Sequence, residues 1–100
     1  DIINVYSEGF LTPQEYILHQ NYPNPFNPST TIKFDTPEYG NVKVVIYDIR
    51  GRLADILHDG PVDAGFHEVI WNATEMSAGI YFVKLITSDN TITQKITLLK

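Results

Sequence analysis

Any chemistry in this chain would have to come from its histidines or its carboxylates, because it contains no cysteine. That absence excludes a thiol nucleophile, a thiolate zinc site and a disulfide framework. No serine stands in a Gly-x-Ser-x-Gly setting, the strained turn that presents a hydrolase nucleophile. His19, His58 and His67 lack the His-Glu-x-x-His spacing that puts two imidazoles on one metal. His67 alternates with Val69 and Trp71, the pattern of a packed or boundary histidine, and no reaction is assigned to it. Asp55, Asp59, Asp63, Glu68 and Glu75 bring five acids and no Lys or Arg to residues 53–75. They are not arranged as the Asp-x-Asp-x-Asp-Gly loop that wraps calcium, and a solvated acidic edge is the favoured reading over a metal site. Asn72-Ala73-Thr74 matches a glycosylation acceptor, a three-residue pattern that arises readily by chance. Trp71, Tyr47, Tyr81 and Phe82 could stack on sugar faces. At strand spacing they read first as buried anchors, with a sugar platform as the minor alternative. Neither a catalytic residue, a metal ligand nor a cofactor site is expected.

The elements that must carry these residues are short. From residue 16 onward, β-branched and aromatic runs alternate with Gly, Pro, Asn and Asp. The pattern predicts seven strands, at about 16–20, 30–36, 42–48, 53–58, 66–73, 80–87 and 91–99. Ile32 with Phe34, then Val42, Val44 and Ile46, then His67, Val69 and Trp71 each share a face and should point inward. Residues 80–86 are apolar on both faces apart from Lys84, which predicts a central strand. Glu38-Tyr39-Gly40-Asn41, Ile49-Arg50-Gly51-Arg52 and Asp89-Asn90 read as hairpin turns, with Gly40 and Gly51 available for positive φ. Gly60-Pro61 and Ala64-Gly65 punctuate a longer connection, and Met76-Ser77-Ala78-Gly79 supplies another loop. One helical turn is expected at Thr12-Pro13-Gln14-Glu15, where Thr can cap, Pro suits the first position and Glu follows three residues after the cap. Residues 1–15 read as a linker remnant or an added edge strand, and 16–100 as the folded domain. Three prolines in six residues make 23–28 a stiff loop, since proline fixes φ and removes a donor.

One hundred residues, 43% hydrophobic and 19% charged, suffice for one small packed domain and no second core. A formal charge of −5 with seven Lys and Arg argues against nucleic acid. No apolar run approaches the roughly 20 residues of a membrane span. The charge is uneven: residues 76–100 hold three lysines and one aspartate, a local +2, leaving −7 on the first 75.

Several segments together resemble one family. Residues 18–32, Leu-His-Gln-Asn-Tyr-Pro-Asn-Pro-Phe-Asn-Pro-Ser-Thr-Thr-Ile, are similar to the opening of the type A C-terminal sorting domain of the type IX secretion system. Ile46-Tyr47-Asp48-Ile49-Arg50-Gly51-Arg52 resembles its central strand and turn, and residues 64–71 resemble its Ala-Gly-x-His-x-Val-x-Trp segment. Gly79-Ile80-Tyr81 and Lys95 to Lys100 resemble its ending. The match runs in order over residues 13–100.

The resemblance implies an all-β, immunoglobulin-like antiparallel sandwich of about seven strands at the C terminus of a larger exported cargo. It implies passage through the periplasm, presentation to an outer-membrane translocon, and removal by a sortase-like peptidase at the cell surface. Mapped residue by residue, the family's C-terminal motif falls on Gly79, Tyr81, Lys95, Leu98, Leu99 and Lys100, the expected translocon-recognition residues. Lys95 and Lys100 have a second reading, as charges that keep an edge strand from pairing with other chains, including weak dimerisation. The alternative function is an immunoglobulin-like spacer or carbohydrate-binding module of an extracellular protein.

Overall fold

The computed structural model describes residues 12–99. They form seven strands: β1 (Ile17–Leu18), β2 (Ser29–Thr36), β3 (Gly40–Asp48), β4 (Leu53–Val62), β5 (Gly65–Asn72), β6 (Gly79–Ile86) and β7 (Thr91–Leu98). All pairings are antiparallel. One sheet has the order β1-β2-β5 and the other β4-β3-β6-β7. This three-plus-four division is that of an immunoglobulin-like sandwich.

Alternation decides which side chains fill the space between the sheets. Ile32 and Phe34 from β2, Val42, Val44 and Ile46 from β3, and Tyr81, Val83 and Leu85 from β6 are all buried, joined by Trp71, Ile96 and Leu98. His67 and Val69 are half-buried on the same inward face as Trp71. β6 lies between β3 and β7, as its apolar run predicts. Trp71 sits at the centre, its ring 5.6 Å from Phe26 and 5.2 Å from Tyr81, the latter edge-on. Such tilted contacts add to the burial of large rings.

Four local expectations are corrected. The Thr12–Glu15 segment bends without forming a helical turn, its Gln14 side chain donating to Thr12 O at 3.4 Å. A capping pattern with no apolar stripe to follow has nothing to stabilise a helix nucleus. The Glu38–Asn41 turn is not a hairpin: it carries the chain from β2 in one sheet to β3 in the other, and Gly40 lacks positive φ. Gly51 does supply it, at φ 84°, in the true hairpin between β3 and β4. Gly60-Pro61 lies inside β4 rather than in a connection, Pro61 facing Asn41. β4 is an edge strand, where a residue without an N–H is tolerated. Residues 1–11, most of the expected linker or edge strand, lie outside the described residues.

Candidate functional site

Of the residues mapped from the family's ending, Gly79, Tyr81, Lys95 and Leu98 fall on the β6–β7 pair and Leu99 directly follows it, in two different roles. Gly79 faces Leu98, and Tyr81 faces Ile96. Tyr81 is buried, and its hydroxyl donates to Ser77 O at 2.6 Å, back across the loop that leads into β6. A tyrosine near the start of this strand bonded to upstream backbone is the tyrosine corner of immunoglobulin-like sandwiches. Leu98 is also buried, 1% exposed. Gly79 adopts φ 147° with nothing within 4 Å of where a Cβ would sit, so backbone freedom rather than lack of space requires glycine. Lys95 and Leu99 are exposed. Of the mapped set, these two present side chains a partner can touch, while Tyr81 and Leu98 build the core beneath them. Lys100 lies outside the described residues.

The proline-rich loop, at the other end of the domain sequence, is fastened to the same strand. Phe26 is buried, and its main chain bridges β7 in parallel: Phe26 N donates to Thr97 O at 3.0 Å, and Leu99 N donates to Phe26 O at 2.8 Å. Thr97 N donates to Asn24 Oδ1 at 3.2 Å. Inside the loop, buried Asn21 donates through Nδ2 to Thr30 Oγ1 at 3.0 Å and to Pro23 O at 3.2 Å, and Thr30 Oγ1 donates to Pro23 O at 2.8 Å. With its amide oriented to match its neighbours, Gln94 of β7 donates to His19 O at 2.8 Å and accepts from Asn21 N at 3.1 Å. Among the described residues, no buried side-chain nitrogen or oxygen is left without a partner. Composition marks the loop as stiff; its attachment to β7 has no signal in the sequence, because it depends on how the sheets stack.

Beside the start of β6, Asp48 organises the β3–β4 turn. Its carboxylate accepts from Arg50 N, Arg52 N and Arg52 Nε, each at 2.9 Å. The Arg52 backbone bond, helped by its guanidinium and by the Arg50 N–H, holds the Asp48 carboxyl below its ordinary value of 3.8.

The other candidate chemistry has structural employment. His19 Nε2 lies 2.9 Å from Asp35 Oδ2. His67 Nε2 lies 2.9 Å from Asp63 O and 3.0 Å from Thr36 Oγ1, with its ring 5.0 Å from Phe34. The two histidines border one shallow cleft with Lys33 and Glu68. His58 Nε2 lies 3.1 Å from Gly60 O. Asp55, from the acidic stretch, accepts from Trp71 Nε1 at 3.0 Å and so ties β4 to β5 across the sandwich edge. Among the described residues, no three His, Asp or Glu side chains are grouped as a metal ion would need. Asn72 is exposed at the end of β5, its Oδ1 accepting from Thr74 N at 3.0 Å. The aromatic quartet is split: Trp71 and Tyr81 are core, whereas Tyr47 and Phe82 stand side by side, half-buried, on the outer face of the four-stranded sheet. No single sugar platform can contain all four.

Among solved structures, the chain is similar to PorZ of Porphyromonas gingivalis, described as an essential bacterial surface component of the type-IX secretion system. The likeness has a TM-score of 0.57 and 24% identity, covering 83% of this chain and 11% of that one. At that identity it speaks to the shared fold, and this chain corresponds to a small part of PorZ's length. No curated protein matches the chain significantly. A family model described as the secretion system C-terminal sorting domain matches residues 20–99. That span includes both the proline-rich loop and the strand it is fastened to, and the chain belongs to the family of type IX secretion C-terminal sorting domains.

Proposed function

We propose that this domain is a non-catalytic label that directs a covalently preceding cargo through the outer membrane by the type IX machinery, and that it is recognised in its folded form. The observation that carries this reading is the joining of the family's first and last segments by the Phe26–β7 bridge, with Lys95 and Leu99 exposed beside it. A linear tail would not need a loop whose Asn24 lies 73 residues before Thr97, and whose Phe26 is buried, to fix its last strand. On this reading the cargo passes from periplasm to cell surface, and a sortase-like peptidase then removes the domain. The translocon reads Lys95, Leu99 and Lys100 directly, and Gly79, Tyr81 and Leu98 hold the strand pair that presents them.

Fusing residues 1–100 to a periplasmic reporter, in a host with the secretion machinery, tests the proposal. Surface or medium delivery is expected, abolished by deleting the translocon. Lys95→Ala with Lys100→Ala should cut delivery while leaving the melting midpoint within about 2 °C, since Lys95 is exposed and surface substitutions alter stability little. Undiminished delivery by that folded variant would overturn the assignment of these lysines.

A further inference from the structure

The four-stranded sheet turns its back to solvent, and the register lines up that outer face in rows that cross all four strands. The first row is Leu53, Tyr47, Phe82 and Lys95. The second is Ile56, Val45, Lys84 and Thr93, and the third is Asp59, Lys43, Ile86 and Thr91. Each row contains one lysine, shifted by one strand from row to row. Lys95 on β7, Lys84 on β6 and Lys43 on β3 therefore form a diagonal. One strand across and two residues along places neighbouring lysines about 8 Å apart at their Cα atoms.

The face beside this diagonal is apolar. Leu53 and Ile56 are 53% and 51% exposed, and Tyr47 and Phe82 are half-buried next to them. The outer side of an antiparallel sandwich sheet is ordinarily polar. A contiguous apolar stretch there marks a contact surface. Among the described residues the three lysines have no ion-pair partner: the ion pairs are His19 with Asp35 and Arg52 with Asp48. The Lys84 ammonium lies 5.0 Å from the centre of the Tyr47 ring, which holds it in place without neutralising it. Lys43 stands opposite Asp59, as Lys33 stands opposite Glu68 on the other sheet, whereas Lys84 and Lys95 face no acid across the strands. So a domain of net −5 gathers three lysines on one face, of which only Lys43 has an acid, Asp59, opposite it.

We infer that this outer face is a docking surface for an acidic, extended protein segment, whose carboxylates lie along the Lys43–Lys84–Lys95 diagonal and whose apolar side chains cover Tyr47, Phe82 and Leu53. An extended chain repeats on one side every two residues, about 6.7 Å, so acids at alternate positions come close to the lysine spacing. A line of three charges suits such a segment better than an anionic lipid surface, which rewards the number of basic residues rather than their alignment. The biological setting, contact with the secretion machinery, rests on the sorting reading; the surface itself does not.

The test titrates the isotope-labelled chain with a glutamate–tyrosine copolymer and, separately, with vesicles containing phosphatidylglycerol. Amide shifts from the copolymer are expected to cluster on β3, β6 and β7. Lys43→Glu with Lys95→Glu, both exposed positions, should weaken copolymer binding at least tenfold with an unchanged melting midpoint. Shifts elsewhere, equal binding by that folded variant, or tighter binding to the vesicles would each overturn the inference. In the export host, Lys43→Glu with Lys84→Gln should lower reporter delivery tenfold. Lys43 and Lys84 are outside the C-terminal residues of the sorting proposal, so normal delivery by this pair would sink the docking face and leave the sorting reading standing. Failure of the wild-type fusion would sink the sorting reading, with the shift map still deciding the face.

Discussion

At Trp71 the ring and the indole N–H are satisfied by different neighbours: Phe26 and Tyr81 pack the ring, and Asp55 accepts the proton. Truncating the side chain to Ala is expected to cost about 3–5 kcal/mol, as for other large buried aromatics. Trp71→Phe keeps much of the packing and loses the hydrogen bond, an expected cost of about 1 kcal/mol beyond the lost volume. Urea unfolding of the two variants separates the contributions: equal losses would show that ring packing contributes nothing, and a Trp71→Phe loss no larger than its lost volume would show the same of the Asp55 bond. Asp48 makes a prediction in pH. Its folded pKa lies below the ordinary 3.8, so its stabilisation of the turn is complete above that value and disappears as pH falls through the lower, folded one. Protection of the Arg50 and Arg52 amides from exchange should hold steady down to about pH 4 and decline below it. Asp48→Asn should remove that decline. The burial of Trp71 was legible from its alternation with Val69. Its bond to Asp55 was not, because β4 and β5 belong to different sheets and their relative placement is set by packing, not by residue spacing.

The strands were legible because their side-chain period matches the pleat; the misreadings concern the segments outside them and the one proline inside β4. Pro61 looks like an end to β4 in a one-dimensional view; it is acceptable there only because β4 has a free edge, a fact of sheet order. Glu38–Asn41 has turn chemistry, yet turn chemistry does not say whether the next strand pairs with the last or crosses to the other sheet. The loop at residues 21–28 is the element with the most testable packing. Phe26→Ala is expected to cost about 3 kcal/mol or more through the cavity it leaves against Trp71. Hydrogen exchange at Leu99, whose N–H is held by Phe26 O, should quicken further than exchange in β3. Uniform acceleration across both would mean that the loop does not secure the end of β7 in particular.

Across the whole molecule, two edges are treated unequally. β4 ends its sheet with Pro61, and β7 ends it with the last bonds of the domain given to the proline-rich loop. The candidate site was legible as a set of residues and not as a surface. Tyr81 and Leu98 carry the family pattern but lie inside, while Lys43 and Lys84 acquire meaning only when the register places them in line with Lys95. The bond between Asn24 and Thr97 closes 73 residues of chain, a non-local contact whose closure entropy the rest of the fold must offset. A polypeptide stopped or clipped short of Thr97 could not fasten its own beginning. The clasp thereby makes the fastening of the first loop depend on the last strand being present.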